Sequence, residues 1–206
     1  NIPEVLKDRA AWVCWRLENR DGKPTKVPKN PRTGSNAKSN DPTTWSTFAD
    51  AVAAAPSFDG VGIMFAADLC GVDLDDCRDP ETGELEPWAA EVVADLDSYA
   101  EASPSGTGVH ILLFSPELPG PRRRKGRLEM YGPGSPRFFT VTGDHLPGTP
   151  ATCNMRPEAL GSFYAQHLAD PVPAPQGGSA ASPVALDLSE ADLLQVAFHA
   201  ANGAKI

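Results

Sequence analysis

Hydrophobic and polar positions alternate along this chain in short runs, and the period switches repeatedly between two and about four. "WVCWRLE" (Trp12 to Glu18) has the aromatic and β-branched residues of a strand, and "NRDGKP" after it has turn chemistry. With "TKVPKNP" beyond the turn, the pattern predicts a basic β-hairpin carrying Lys23, Lys26 and Lys29. In "NDPTTWSTFADAVAAA", Asp41 suits a helix cap and Pro42 the first helical position, while Trp45, Phe48 and Val52 recur at helical spacing. One amphipathic helix is expected there. "GVGIMFAADLCGVDLDD" predicts two apolar strands around a short turn near Ala67 and Asp68. "PWAAEVVADLDSY" predicts a helix from near Pro87, with Trp88, Val92, Leu96 and Tyr99 facing inward.

The second half continues in the same way. "GVHILLFS" (Gly108 to Ser115) is nearly all apolar and predicts a central strand. "RLEMYG" and "RFFTVTG" predict two more strands, and "RPEALGSFYAQHL" (Arg156 to Leu168) a last helix. "ADPVPAPQGGSAASP" then reads as a linker, and "ALDLSEADLLQVAFHAANG" resumes a helical period with Ser189 as its cap. Strands and helices interleave without a regular βαβ repeat, so the expected class is α+β. The expected division is a folded domain over 1–168, a flexible linker over 169–184 and, over 185–206, the truncated start of a further helical domain.

Charge changes this picture by its distribution more than by its sum. The net charge of −9 speaks against a polyanionic partner. Yet residues 1–38 hold nine Lys or Arg against four Asp or Glu, and residues 39–121 hold one against sixteen. "RRRKGR" (Arg122 to Arg127) then restores a dense positive loop. A basic arm, an acidic centre and a basic loop together suit a metal held between phosphate-binding surfaces; chance clustering in an acidic chain is the alternative. Cys14, Cys70, Cys77 and Cys153 form no CxxC pair and have no histidine at zinc-ligand spacing, which reads as reduced thiols. No run of about 18 apolar residues and no signal-like opening is present, so no membrane span and a cytoplasmic setting are expected.

The candidate chemistry starts at "CGVDLDDC". In a strand, residues two apart share a face, so Asp73 and Asp75 project together and Asp76 points away as a strand-end or turn residue. Two such carboxylates repel unless a cation lies between them, and hard oxygen ligands suit Mg²⁺ or Mn²⁺. A bare DxD also occurs as a cap or turn cluster. The second motif is "SPSGTGVH", in which Ser103, Ser105, Gly106 and Thr107 suit an anion-binding nest and His110 stands two residues into the apolar strand. A lone histidine there equally suits a satisfied core residue. The third is Glu129 in "LEMYG", directly after the basic loop.

In this order the motifs resemble the archaeo-eukaryotic primase superfamily, and more closely the bifunctional primase-polymerase domains of phages and plasmids. The resemblance runs over about residues 3–168, and its combination of motifs is more specific than any one of them. The wider superfamily often has aspartate where this chain has Glu129. The resemblance implies a prim-pol core of mixed sheets with an RRM-like catalytic subdomain, transferring nucleotides onto a 3′-hydroxyl. Asp73, Asp75 and Glu129 would hold one or two divalent ions, Mg²⁺ or Mn²⁺, and with His110 form the catalytic set. Ser103, Ser105, Gly106, Thr107 and His110 would hold the triphosphate of a (d)NTP. Arg137 and Lys26 are candidates for the same task, although an outward salt bridge or a solvated hairpin lysine accounts for each as well. Arg122, Arg123, Arg124, Lys125 and Arg127, with Lys29, would meet single-stranded template or primer-template DNA. A helicase further along a longer replication protein is also implied. Two rival readings are a non-catalytic nucleic-acid-binding module and a DxD nucleotide-sugar glycosyltransferase.

Overall fold

The computed structural model describes residues 1–170; the linker expected beyond Asp170 and the helix expected near Ser189 lie outside the described residues. The hairpin forms as expected. Strands β1 (Trp12–Arg20) and β2 (Lys23–Lys29) pair antiparallel, with Arg20 opposite Lys23. The two residues between them, Asp21 and Gly22, both have positive φ (52° and 79°), the backbone that a tight two-residue turn demands.

The apolar pair in "GVGIMFAADLCGVDL" also forms, as β3 (Gly60–Met64) and β4 (Leu69–Leu74), with Ala67 left-handed at the turn. These neighbours do not pair with each other. β3 lies between β1 and β9 (Phe138–Val141) in a four-stranded sheet, β2-β1-β3-β9. β4 is the centre of a five-stranded sheet, whose order is β5 (Tyr99–Ala102), β6 (Val109–Phe114), β4, β8 (Leu128–Tyr131), β7 (Arg124–Lys125). All pairings within both sheets are antiparallel. The class is α+β, and β6 is flanked on both sides.

Two helix expectations need correction. The single helix over 41–55 is broken. Asp41 caps only a short 3₁₀ turn (Pro42–Thr44), Trp45 is extended, and Ser46 pairs with Trp12 of β1. Helix α2 (Phe48–Ala54) then starts afresh, capped by the Thr47 side chain, which accepts from the Asp50 N–H. Counted from this new start, Ala51 faces the core and Val52 is exposed. The second correction is at Tyr99. Helix α3 (Pro87–Leu96) ends where Asp97 turns left-handed (φ 41°), so Tyr99 opens β5 instead of extending the helical stripe. A short α1 (Glu4–Lys7) precedes β1, and α4 (Pro157–Phe163) continues into a wider π turn through Leu168.

Burial follows the period of two. Val72, Leu74, Val109, Ile111, Leu113 and Met130 cover one face of the five-stranded sheet and pack against α3 and α4. Its other face joins the four-stranded sheet in a second core, built on Trp12, Ile63, Leu69, Tyr99, Leu112 and Phe139 and closed by Leu6, Trp45 and Ala51. All four cysteines are buried free thiols, and burial pushes Cys14 and Cys77 up to about 11 and Cys70 and Cys153 to about 12. Among the described residues no helix is long and apolar enough to cross a membrane.

Candidate active site

The register of the five-stranded sheet sets one ionisable residue from each strand in a single transverse row. Glu101 of β5 is opposite His110 of β6, His110 opposite Asp73 of β4, Asp73 opposite Glu129 of β8, and Glu129 opposite Arg124 of β7. Directly paired residues project to the same face. That face looks toward the four-stranded sheet across a cleft of about 930 Å³, lined by Asp73, His110, Glu129 and Arg124 from one side. Lys26, Phe139 and Thr140 line it from the other, and Arg137 and Tyr131 stand along it.

Asp75 follows just after the end of β4, its N–H still bonded to the Arg127 carbonyl at 2.8 Å, which carries the strand line one residue further. Its charge acts on Asp73 as the sequence spacing predicts. Burial first, then the charges of Asp75 and Glu129, push Asp73 up to about 7. Asp75 is raised too, by burial and by Glu129. Asp76 is in a left-handed turn (φ 47°), as expected of a strand-end residue.

Each member of the row is held in place. The His110 Nδ1 is 3.0 Å from the Thr140 carbonyl of β9. A carbonyl only accepts, so Nδ1 carries the hydrogen, and Nε2, 3.7 Å from Asp73, presents its lone pair. Burial, then Lys26, push this imidazole down to about 4, so it is neutral near pH 7. Phe139 stacks on its ring at 4.6 Å between centroids. That stack needs Gly71, two residues before Asp73, because a Cβ there would stand 2.4 Å from the Phe139 ring. On the other flank the Tyr131 hydroxyl donates to one oxygen of Glu129, while Arg124 Nη1 binds the other at 2.8 Å. Arg124 Nη2 also lies 3.9 Å from Asp75.

The carboxylates are the donor type for a hard divalent ion, and Asp73 carries the signature of unrelieved negative charge beside it. Among the described residues no group of three His, Cys, Asp or Glu side chains is gathered closely enough to hold a metal as it stands. What lies against Glu129 and Asp75 is the Arg124 guanidinium. The oxygen donors suit Mg²⁺ or Mn²⁺ by type, while the arrangement present has Arg124 against two of the three carboxylates.

No family model matches the chain. In an alignment 186 residues long that covers 84% of the chain, it is 32% identical to the DNA primase-polymerase of Nitratiruptor phage NrS-1. This chain is a distant homologue of a phage DNA primase-polymerase. It spans about a quarter (25%) of that relative's length, and the similarity supports primase-polymerase identity at the level of the family.

Against the residues expected of a primase-polymerase, the structure brings Asp73, His110 and Glu129 together, sets Asp75 beside them, and adds Lys26 and Arg137 on the cleft. It does not bring the serine–glycine loop there. Ser103, Ser105, Gly106 and Thr107 lie at the end of the sheet beside Asp76 to Arg78, outside the cleft lining. Gly106 N–H bonds to the Ser103 carbonyl and Thr107 N–H to the Ser105 hydroxyl, so these amides point into the loop itself. The Thr107 carbonyl accepts from the Cys77 and Arg78 amides, which ties the loop to the turn after the aspartates.

The basic run also divides. Arg124 belongs to the carboxylate row, and Arg127 makes a two-pronged pair with Glu86 at 2.8–2.9 Å while lying over Trp88. Lys125 reaches the Ala169 carbonyl, and Arg123 donates to the Gly120 carbonyl. Arg122 sits in the same loop. Lys29 is away from the cleft, held by Glu18 and Asn36.

Glu101 escaped the sequence reading, and Arg124 was read there only as a DNA contact. Glu101 is fully buried and accepts from Thr142 N–H, Gly143 N–H and the Tyr99 hydroxyl, which binds β5 to the chain leaving β9. Arg124 was grouped with its loop. For Glu101 the available signal was the alternation Tyr99-Ala-Glu101-Ala directly before the serine–glycine motif.

Proposed function

We propose that this chain is the nucleotidyl-transferring part of a DNA primase-polymerase, adding nucleotides from (d)NTPs to a 3′-hydroxyl under the direction of a DNA template. The observation that carries the reading is the Asp73–Glu129 pair in register on one sheet face, with His110 on its flank, inside a cleft rimmed by Lys26, Arg124 and Arg137. The similarity to the phage primase-polymerase supports it independently. On this reading the five-stranded sheet with α3 and α4 is the RRM-like catalytic subdomain.

Asp73, Asp75 and Glu129 would hold one or two Mg²⁺ or Mn²⁺ ions. When bound, such ions lower the pKa of an attacking hydroxyl and neutralise charge on the transferring phosphoryl group. The chain's own residues do the rest. Glu129 keeps its orientation through the Tyr131 hydroxyl. Lys26 and Arg137, both lining the cleft, supply positive charge for the triphosphate. A phosphate oxygen beside His110 Nε2 favours the imidazolium, which then donates to it while Nδ1 stays anchored on Thr140. The serine–glycine loop acts one step back, by fixing the turn that carries Asp75 and Asp76. The basic residues of the 122–127 loop other than Arg124 meet the DNA backbone, a sequence-independent role.

The test is incorporation of labelled dNTP on a defined primer-template, with and without Mg²⁺ or Mn²⁺. The reading expects incorporation that needs both template and divalent ion. Retarded DNA with no extension under any divalent ion would favour the non-catalytic binding module instead.

A further inference from the structure

Resting on the proposed divalent-ion site, we propose that Arg124 is a substrate-responsive counter-ion: it neutralises Glu129 and Asp75 before loading and transfers to a nucleotide phosphate afterwards. Three observations carry this. The first is geometric. Arg124 is the cross-strand partner of Glu129, binds it at 2.8 Å, and reaches to 3.9 Å from Asp75. Its guanidinium therefore lies against two of the three carboxylates that the proposed cation needs. The second is mobility of a specific kind. Arg124 is on a two-residue edge strand, and its side chain is 64% exposed. An ion pair that open is weakly held, so a better cation displaces it readily.

The third is a destination. A second cavity of about 450 Å³ adjoins the catalytic cleft and shares Arg124, Glu129, Tyr131, Pro136 and Arg137 with it. This cavity is lined by three arginines, Arg123, Arg124 and Arg137, against one carboxylate, Glu129. Among the described residues Arg137 has no carboxylate partner and lies over the Tyr131 ring. Arg124 lines both cavities, and the second is lined by the other two arginines as well. The Tyr131 hydroxyl still holds Glu129 when Arg124 leaves, so the carboxylate does not lose its orientation with its counter-ion. A planar, bidentate guanidinium suits a phosphate as well as a carboxylate, which the exchange requires.

The role predicts tighter Mn²⁺ and weaker dATP in an Arg124 variant; loss of charge alone has the same signs, so the discriminating comparison is with an arginine that touches no carboxylate. Mn²⁺ alone, without nucleotide, is titrated calorimetrically into the wild type, Arg124→Gln, Arg123→Gln and Asp73→Asn. dATP is then titrated into each Mn²⁺-saturated protein. Arg124→Gln is expected to bind Mn²⁺ about fivefold more tightly than wild type, since it no longer competes. Arg123→Gln removes the same charge without touching a carboxylate, and its Mn²⁺ affinity is expected to move by less than about twofold. dATP affinity of Arg124→Gln is expected to fall about tenfold, the loss of a charge-assisted phosphate contact. Equal Mn²⁺ affinities for the two arginine variants, or an unchanged dATP affinity in Arg124→Gln, would overturn the proposal. Asp73→Asn separates its failure from that of the underlying reading. Weakened Mn²⁺ binding there, with no gain in Arg124→Gln, defeats the counter-ion role alone. Mn²⁺ affinity indifferent to both substitutions defeats the metal site as well.

Discussion

The two faces of the five-stranded sheet are built from the same strands: one packs an apolar layer against helices, and the other divides between a second core and a row of ionisable residues. Val72, Leu74, Ile111 and Met130 fill the face against α3 and α4, all fully buried. The alternate positions, Gly71, Asp73, His110 and Glu129, form the face that looks into the cleft. One residue of register separates a layer that stabilises the fold from one that carries like charges at a cost to it. Substitutions on the first face should therefore lower stability, while a neutralising substitution on the second should raise it and remove chemistry.

The largest expected effect is on the apolar face. Ile111→Ala deletes three carbons from a fully buried site between the sheet and its helices. Chemical denaturation should show a loss of about 2–5 kcal/mol. A loss below about 1 kcal/mol would mean that this face is loosely packed, and the contrast would collapse.

Gly71→Ala tests where the two roles meet. The added methyl would stand 2.4 Å from the Phe139 ring, which is boxed in by His110, Phe65 and Tyr131. Overpacking of this kind costs about 1–3 kcal/mol. Because the displaced ring stacks on His110, dNTP KM should rise as well. An Ile111→Ala protein that remains folded should leave that KM nearly unchanged.

Asp73→Asn should move stability the other way in metal-free protein. The Asp73 carboxyl titrates near 7 in the folded state and near 3.8 unfolded. Between those values the unfolded chain binds fewer protons, so this group's contribution to stability falls as pH rises. The variant should gain nothing near pH 3.5. It should gain progressively to pH 7 and level off above, at about 1–3 kcal/mol. Denaturation midpoints across that range check it, and a gain largest at acid pH would have the sign wrong.

How much of this was legible follows from what each feature depends on. The alternation of Asp73 and Asp75 is a local property of the chain, and the strand formed through Asp73, with Asp75 just beyond its end. So did the hairpin, whose Asp21-Gly22 turn leaves the flanking strands little choice. Partner choice between strands is not local. β3 and β4 follow each other across a short turn yet go to different sheets, and the sequence pattern does not distinguish that from a hairpin. Glu101 was missed because β5 is four residues long and Leu96 to Tyr99 continues a helical spacing that only the left-handed Asp97 interrupts. The serine–glycine motif invited a nest, but its amides close on its own oxygens. Arg124 was hidden by its neighbours. Only the pairing of β7 with β8 separates it from the other basic residues of the loop.

The central claim is that the proposed carboxylate site of the cleft-facing row serves metal-dependent nucleotidyl transfer, and that the charge of Asp73 costs the metal-free fold stability. Its most direct test is one paired measurement on Asp73→Asn: the rate of Mg²⁺- or Mn²⁺-dependent dNTP incorporation on a primer-template, and the melting midpoint of the same protein free of divalent ion, nucleotide and DNA. The account predicts that incorporation falls by about a thousandfold or more, on the order of 4 kcal/mol in the transition state. It also predicts a midpoint equal to or above that of the wild type. Incorporation near the wild-type rate in a folded Asp73→Asn protein would contradict it.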